Sequence, residues 1–277
     1  MTPHPVLARL VHRLAGERPH PAPDLVTTGY PSLDRLLAGG LRRGELTVLG
    51  GDAGAGTTAL ALGIALRAAV AGHAVLVLSH EASPERLWER LLGAESGVTH
   101  LAMRSGVLTG EQAGALRDAA AVLAGLPLRI EIAPGNATAL AARLDDDAEV
   151  LPPLVLVDGL AGIDAPPRPV AEAQAQAVRA AKRAAVARDA AVLLTAPLAV
   201  NPAFRPPPRP ALGDFAALGA IAQVADVVLA VHREGLHDDA PDVAGALEVH
   251  ALKHRSTRGA HADLYIEPAA GRVEDLV

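Results

Sequence analysis

Apolar residues along this chain gather in short runs, and between the runs they recur at helical spacing. The runs at 46–49, 74–78, 154–157, 191–194 and 227–231 hold four or five residues each. Runs of that length without polar alternation predict strands buried on both faces of a sheet, and residues 128–132 read as one more. Residues 59–71, 84–92, 111–124 and 171–188 read as helices, the last rich in alanine. Strands alternating with helices in this way predict an α/β fold, a mostly parallel sheet with helices on both faces. Residues 247–253 and 262–267 predict a β-hairpin that closes the chain around 254–261. No internal repeat is visible.

Outside this core the pattern changes. Val6, Leu7, Leu10, Val11 and Leu14 make one apolar face of a helix over 6–15. Three prolines between Arg18 and Asp24 end it. A short amphipathic helix on a proline tether either docks on a partner surface or folds back on its own domain, and the pattern leaves both open. Residues 1–24 therefore read as an N-terminal arm and 25–277 as the domain. Residues 27–37 read as a turn into a short helix. Between 201 and 210, five prolines with Arg205 and Arg209 predict an exposed, semi-rigid loop.

Candidate chemistry concentrates where the strand at 46–49 meets its helix. Gly50-Gly51-Asp52-Ala53-Gly54-Ala55-Gly56-Thr57-Thr58 lies between them, the context of a phosphate-binding loop, G-x-x-x-x-G-K-[ST]. Gly51 and Gly56 take the two glycine positions, with Gly54 between them, and Thr58 takes the hydroxyl position that binds magnesium. The lysine position holds Thr57. Backbone amides and the positive end of the helix can still cradle an anion, but the point charge for the outer phosphates is missing. Ligands of such sheets lie at the carboxyl ends of strands, where Glu81, Asp158 and Thr195 also fall. Asp158 is placed to hold magnesium through water beside Thr58, and Glu81 to polarise an attacking water. An aspartate at a strand end is often only a helix cap; its company here favours the metal.

Composition narrows the class. Half the residues are apolar but only 2% are aromatic, so the core must be aliphatic. A formal charge of −6 and a pI near 6.0 exclude a strongly basic coat for nucleic acid and leave room for a local basic groove. With no cysteine there is no disulfide, thiol nucleophile or cysteine-ligated zinc. No apolar run reaches the roughly 20 residues of a membrane span, and Met1-Thr2-Pro3-His4-Pro5 has no signal-peptide pattern. A cytoplasmic chain without a membrane partner is expected.

Taken in order, the motifs resemble the RecA-like motor domain of replicative DnaB-type DNA helicases, over residues 25–277. The likeness is carried by Thr28-Gly29-Tyr30 with Leu33-Asp34, the loop at 50–58, Ser79-His80-Glu81, and Met103-Arg104-Ser105-Gly106 with Leu108. It continues through Leu156-Val157-Asp158, the stretch from Gly219 to Asp226, and Lys253-His254-Arg255 with Gly259. Recombination and repair ATPases share the loop and strand order, but 103–106 and 219–226 favour the helicases. The resemblance implies a RecA-like P-loop NTPase fold, with ATP and Mg2+ as ligands and Glu81 as the activator of water. It implies that Thr58 and Asp158 hold the metal. It also implies a homo-oligomer, ring or filament, in which Lys253 and Arg255 reach the nucleotide of the adjacent subunit. The two alternate along a strand end and so share a face; a solvated edge strand is the other reading. Helix 6–15 stands where the family has a linker helix that docks on a neighbour, and the family's N-terminal primase-interacting domain is expected to be missing.

Departures from the family pattern fall on the coupling of ATP to DNA. Thr57 replaces the lysine, and Gly159-Leu160-Ala161 replace tyrosine-leucine-glutamine. Ala196-Pro197 stand in for a polar sensor, with Thr195 as the nearest hydroxyl. Ala216-Ala217-Leu218 replace the arginine-glutamate-serine that holds DNA phosphates. Two readings remain. One is an active ATP-dependent helicase or translocase of DNA replication or repair with a substitute cation. The other is a degenerate regulatory or interaction module that binds ATP with weak or absent hydrolysis, has a helicase or other protein as partner, and binds single-stranded DNA weakly if at all. Thr57 and 216–218 favour the second, which is the expectation; Glu81 and Arg255 favour the first.

Overall fold

The computed structural model describes residues 24–146, 148–164, 169–202, 208–236, 244–254 and 260–276. The helix read at 6–15, Arg205 and Arg255 lie outside them. A short antiparallel ribbon of β1 (Leu25–Val26) and β2 (Leu41–Arg42) opens the described chain, with α1 (Pro31–Leu36) between its strands. The main sheet holds β3 (Leu46–Gly51), β4 (Val75–Ser79), β5 (Leu128–Ile132), β6 (Leu154–Asp158), β7 (Ala191–Pro197), β8 (Val227–His232), β9 (Ala246–Lys253), β10 (His261–Glu267) and β11 (Arg272–Asp275). Their order is β11-β10-β9-β8-β3-β7-β6-β4-β5. β3 to β8 pair in parallel, and β9 to β11 extend the β8 edge antiparallel.

The pleat explains how continuous apolar runs serve two cores. In β6, Leu154 and Leu156 face one hydrophobic cluster while Val155 and Val157 face the other, because successive strand residues point to opposite sides. The first cluster is covered by α2 (Thr57–Val70), α3 (Pro84–Ser96) and Leu123 of α5 (Gly110–Ala124). α6 (Ala137–Asp145), α7 (Val170–Arg188) and α8 (Ala220–Val224) cover the second. α7 presents Ala177, Ala180, Ala181, Ala184 and Ala185 inward, all fully buried. Side chains of one carbon let this helix lie close against its neighbours, so an aliphatic core with 2% aromatics still fills.

Several elements differ from the expected bounds. The helix expected to stop at 92 runs to Ser96 and ends on Gly97 in the left-handed conformation. α4 (His100–Ser105) and α6 have no strong apolar period; each is started by a side-chain cap, Thr99 accepting from Ala102 N and Asn136 from Ala139 N. β11 carries three charged residues around the single apolar Val273 and lies beside the expected hairpin. The opening motif proves to be a clasp: Asp34 accepts Thr28 N at 2.8 Å, Thr28 Oγ1 at 2.7 Å and Thr27 Oγ1 at 2.5 Å. No helix among the described residues is long and apolar enough to cross a membrane.

Candidate functional site

β3 ends between β7 and β8, and the glycine loop turns there into α2. Gly51 has no room for a side chain: a Cβ would lie 2.8 Å from Val231 O and 2.9 Å from Thr57 Oγ1. Gly56 caps α2 with φ 101°, a conformation that glycine adopts without strain. That cap carries no side chain, and the first turn of α2 holds no acidic residue. The leading amides of this 14-residue helix are therefore left for a ligand. The loop walls a cavity of about 580 Å³ that reaches across to α3 and the end of β10. Volume and exposed amides fit a nucleoside polyphosphate. Thr57 Oγ1, at the lysine position, is buried with no hydrogen-bond partner among the described residues.

Asp158 closes β6 and is buried. Its Oδ1 accepts Thr195 Oγ1 at 3.0 Å and its Oδ2 accepts Ser79 Oγ at 3.2 Å. Thr195 Oγ1 in turn accepts Gly159 N at 2.7 Å, and Ser79 Oγ accepts the amides of Glu81 and Ala82 at 3.3 and 3.2 Å. One hydroxyl thus ties the Glu81 segment to the Asp158 carboxylate. Two bonds leave a carboxylate with lone pairs to spare. Among the described residues no group of three or more His, Asp or Glu could hold a metal unaided. That fits Mg2+ better than a resident cage metal, since Mg2+ keeps waters and takes ligands from phosphate.

Glu81 lines the cavity. Burial, and then the charge of Asp158, push its carboxyl above the ordinary range, with Arg90 opposing them. Gly159 holds φ 96°, and a Cβ there would fall 2.4 Å from Glu81 Cγ. Gly159 is therefore the residue that makes space for Glu81.

Two cations that the sequence reading did not name stand at the cavity. Arg90 of α3 and Arg233, just past β8, both line the cavity. Lys253 Nζ donates to Ala222 O at 2.9 Å and to Ala225 O, closing the end of α8 within its own chain. Arg209, read on an exposed loop, forks onto Glu248 at 3.0 and 2.9 Å.

Residues 26–275 match the family model for the DnaB-like helicase C terminal domain. The chain belongs to that family. It is 28% identical to the replicative DNA helicase DnaC of Bacillus subtilis over 239 residues, 83% of this chain and 52% of that protein. It is 33% identical to the replicative DNA helicase DnaB of Treponema pallidum over 218 residues, 76% of this chain and 48% of that protein. The chain thus spans about half the length of these relatives. The solved "ATPase Domain of G40P" shares the fold, with a TM-score of 0.85 and 19% identity over 98% of both chains.

As a DnaB-family domain the chain brings the glycine loop, Thr58, Glu81 and Thr195 to one cavity, with Asp158 buried behind it. The stretch 216–218 leads through a tight turn at Ala217–Gly219, with Ala217 buried at φ 65°. Sequence reasoning missed Arg90 and Arg233. Arg90 lies on the helix after Glu81 and could have been suspected. Arg233 could not, because nothing along the chain says that β8 lies beside β3.

Proposed function

We propose that this chain is a nucleotide-binding, oligomerising DnaB-family domain that hydrolyses ATP weakly or not at all and serves as a regulatory or interaction module. The observation that carries this reading is Thr57: the anion cradle is intact, yet the residue at its lysine position is an uncharged hydroxyl with no hydrogen-bond partner among the described residues. In this reading the amides of 51–58 hold the phosphates. Thr58 and Asp158 would hold Mg2+, which when bound would neutralise phosphate charge. Glu81, with its raised carboxyl, orients water. Charge developing in the transition state suffers more from a lost cation than ground-state binding does, so turnover falls further than affinity. Single-stranded DNA binding is weak and steeply salt-dependent, since Ala216 and Ala217 offer phosphate no charge.

Calorimetry with Mg-ATP tests this. The unmodified chain should bind, and Thr57→Lys should tighten binding by roughly ten- to a hundredfold, with turnover rising from near zero. Robust turnover by the unmodified protein, unaltered by Thr58→Ala or Asp158→Ala, would sink the proposal. The active-motor alternative draws on one observation, the intact tie between Asp158, Ser79 and Glu81. The same turnover assay decides between them.

A further inference from the structure

We propose that Arg233 supplies the phosphate-facing cation that Thr57 does not, reaching the glycine loop from the end of the neighbouring strand. This rests on the nucleotide reading above and names the residue that makes it work in this chain. Val231 of β8 pairs with Gly51 of β3, so Arg233, two residues on, emerges beside the loop. A turn closed by Leu236 N donating to Arg233 O at 3.1 Å holds the residue there. The Leu236 side chain packs near the loop's tip, 4.0 Å from where a Cβ on Gly54 would stand.

One donor of this guanidinium lacks an acceptor. Arg233 Nε is buried and has no hydrogen-bond partner among the described residues. A buried charged donor without an acceptor is costly. The carboxylate next in sequence, Glu234, is engaged by His232 Nε2 at 2.8 Å. The cavity's other arginine, Arg90, lines it from α3 on the Glu81 side. Arg233 Nε and Thr57 Oγ1 are thus two unsatisfied donors on residues lining one cavity, beside the free amides of α2. An acceptor with several anionic oxygens satisfies all three, as the outer phosphates of a nucleoside triphosphate do. Arginine suits the task because its planar fork binds two phosphate oxygens and stays charged at any working pH.

The test measures Mg-ATP and AMP binding to the full chain and to the variants Arg233→Ala, Arg233→Lys, Thr57→Lys and the Thr57→Lys/Arg233→Ala pair. Arg233→Ala should weaken Mg-ATP by about tenfold or more, leave AMP nearly unchanged, and be partly rescued by Arg233→Lys. On the Thr57→Lys background the same change should cost clearly less, because the loop then carries its own cation. Arg233→Gln, checked by thermal melting, replaces Arg233→Ala if the latter does not fold. An effect of twofold or less on Mg-ATP overturns the role of Arg233 alone, as does an equal loss on AMP or an equal loss in both backgrounds. A wild-type chain that binds no Mg-ATP overturns the nucleotide reading and takes this assignment with it.

Discussion

Glu248 shows what a single carboxylate contributes when several groups converge on it. Burial would raise its pKa, but the Arg209 fork and a 2.6 Å bond from His250 Nε2 outweigh it and hold the group at about 2. An unperturbed glutamate titrates near 4.5. The folded state therefore gains stability that is fully present above pH 4.5 and is lost as pH falls through about 2. Glu248→Gln should flatten the stability–pH curve across that acid window while changing it little in shape near neutrality. Urea midpoints between pH 2 and 7 measure this, and an unchanged acid slope would remove Glu248 from the account. The same cluster explains why Arg209 looked free in the sequence: its partner lies 39 positions away on β9.

At the scale of elements, the short α8 is held from outside. It spans only Ala220–Val224, and Lys253 of β9 donates to two carbonyls at its end. Charged side chains satisfy the otherwise unpaired carbonyls of a helix terminus. Lys253→Met keeps the aliphatic stem and removes the bonds, so it should lower unfolding free energy by roughly 1–2 kcal/mol in denaturant titration. A residue acting solely on a neighbouring subunit's nucleotide would leave the isolated chain's stability unmoved, and that result would remove the helix-closing role of Lys253. β3 and β8 show the complementary case. Their pairing sets Gly51 against Val231, and this register alone carries Arg233 to the loop.

For the whole molecule, the question is assembly. Arg255 and the helix at 6–15 were read as intersubunit features, and both lie outside the described residues. Light scattering with and without Mg-ATP should show a ring or filament for the full chain, and a smaller species when residues 1–17 are removed. A strict monomer at tens of micromolar in every condition would reject the shared site. The outcome would also bear on hydrolysis, because a cation from a neighbour acts on the transferring phosphate and Thr57 leaves the loop short of charge.

The α/β order, the strands at 128–132 and 154–158, the glycine loop, Glu81 and Asp158 were legible in the sequence because each is written locally. Apolar runs, helical spacing and turn residues act over a few positions, and the loop's function resides in contiguous backbone. The short elements were less legible: α4, α6 and β11 are set by caps and by pairing with strands already in place. Only the tertiary structure decided which strand adjoins the loop, that Glu81 needs the space at Gly159, and which cations remain for a ligand. Within the chain Lys253 and Arg209 meet Ala222 and Glu248, while Arg233 lines the cavity. Charge is recorded along the chain, but a charge acts according to what lies within a few ångströms of it, and that distance is a property of the fold.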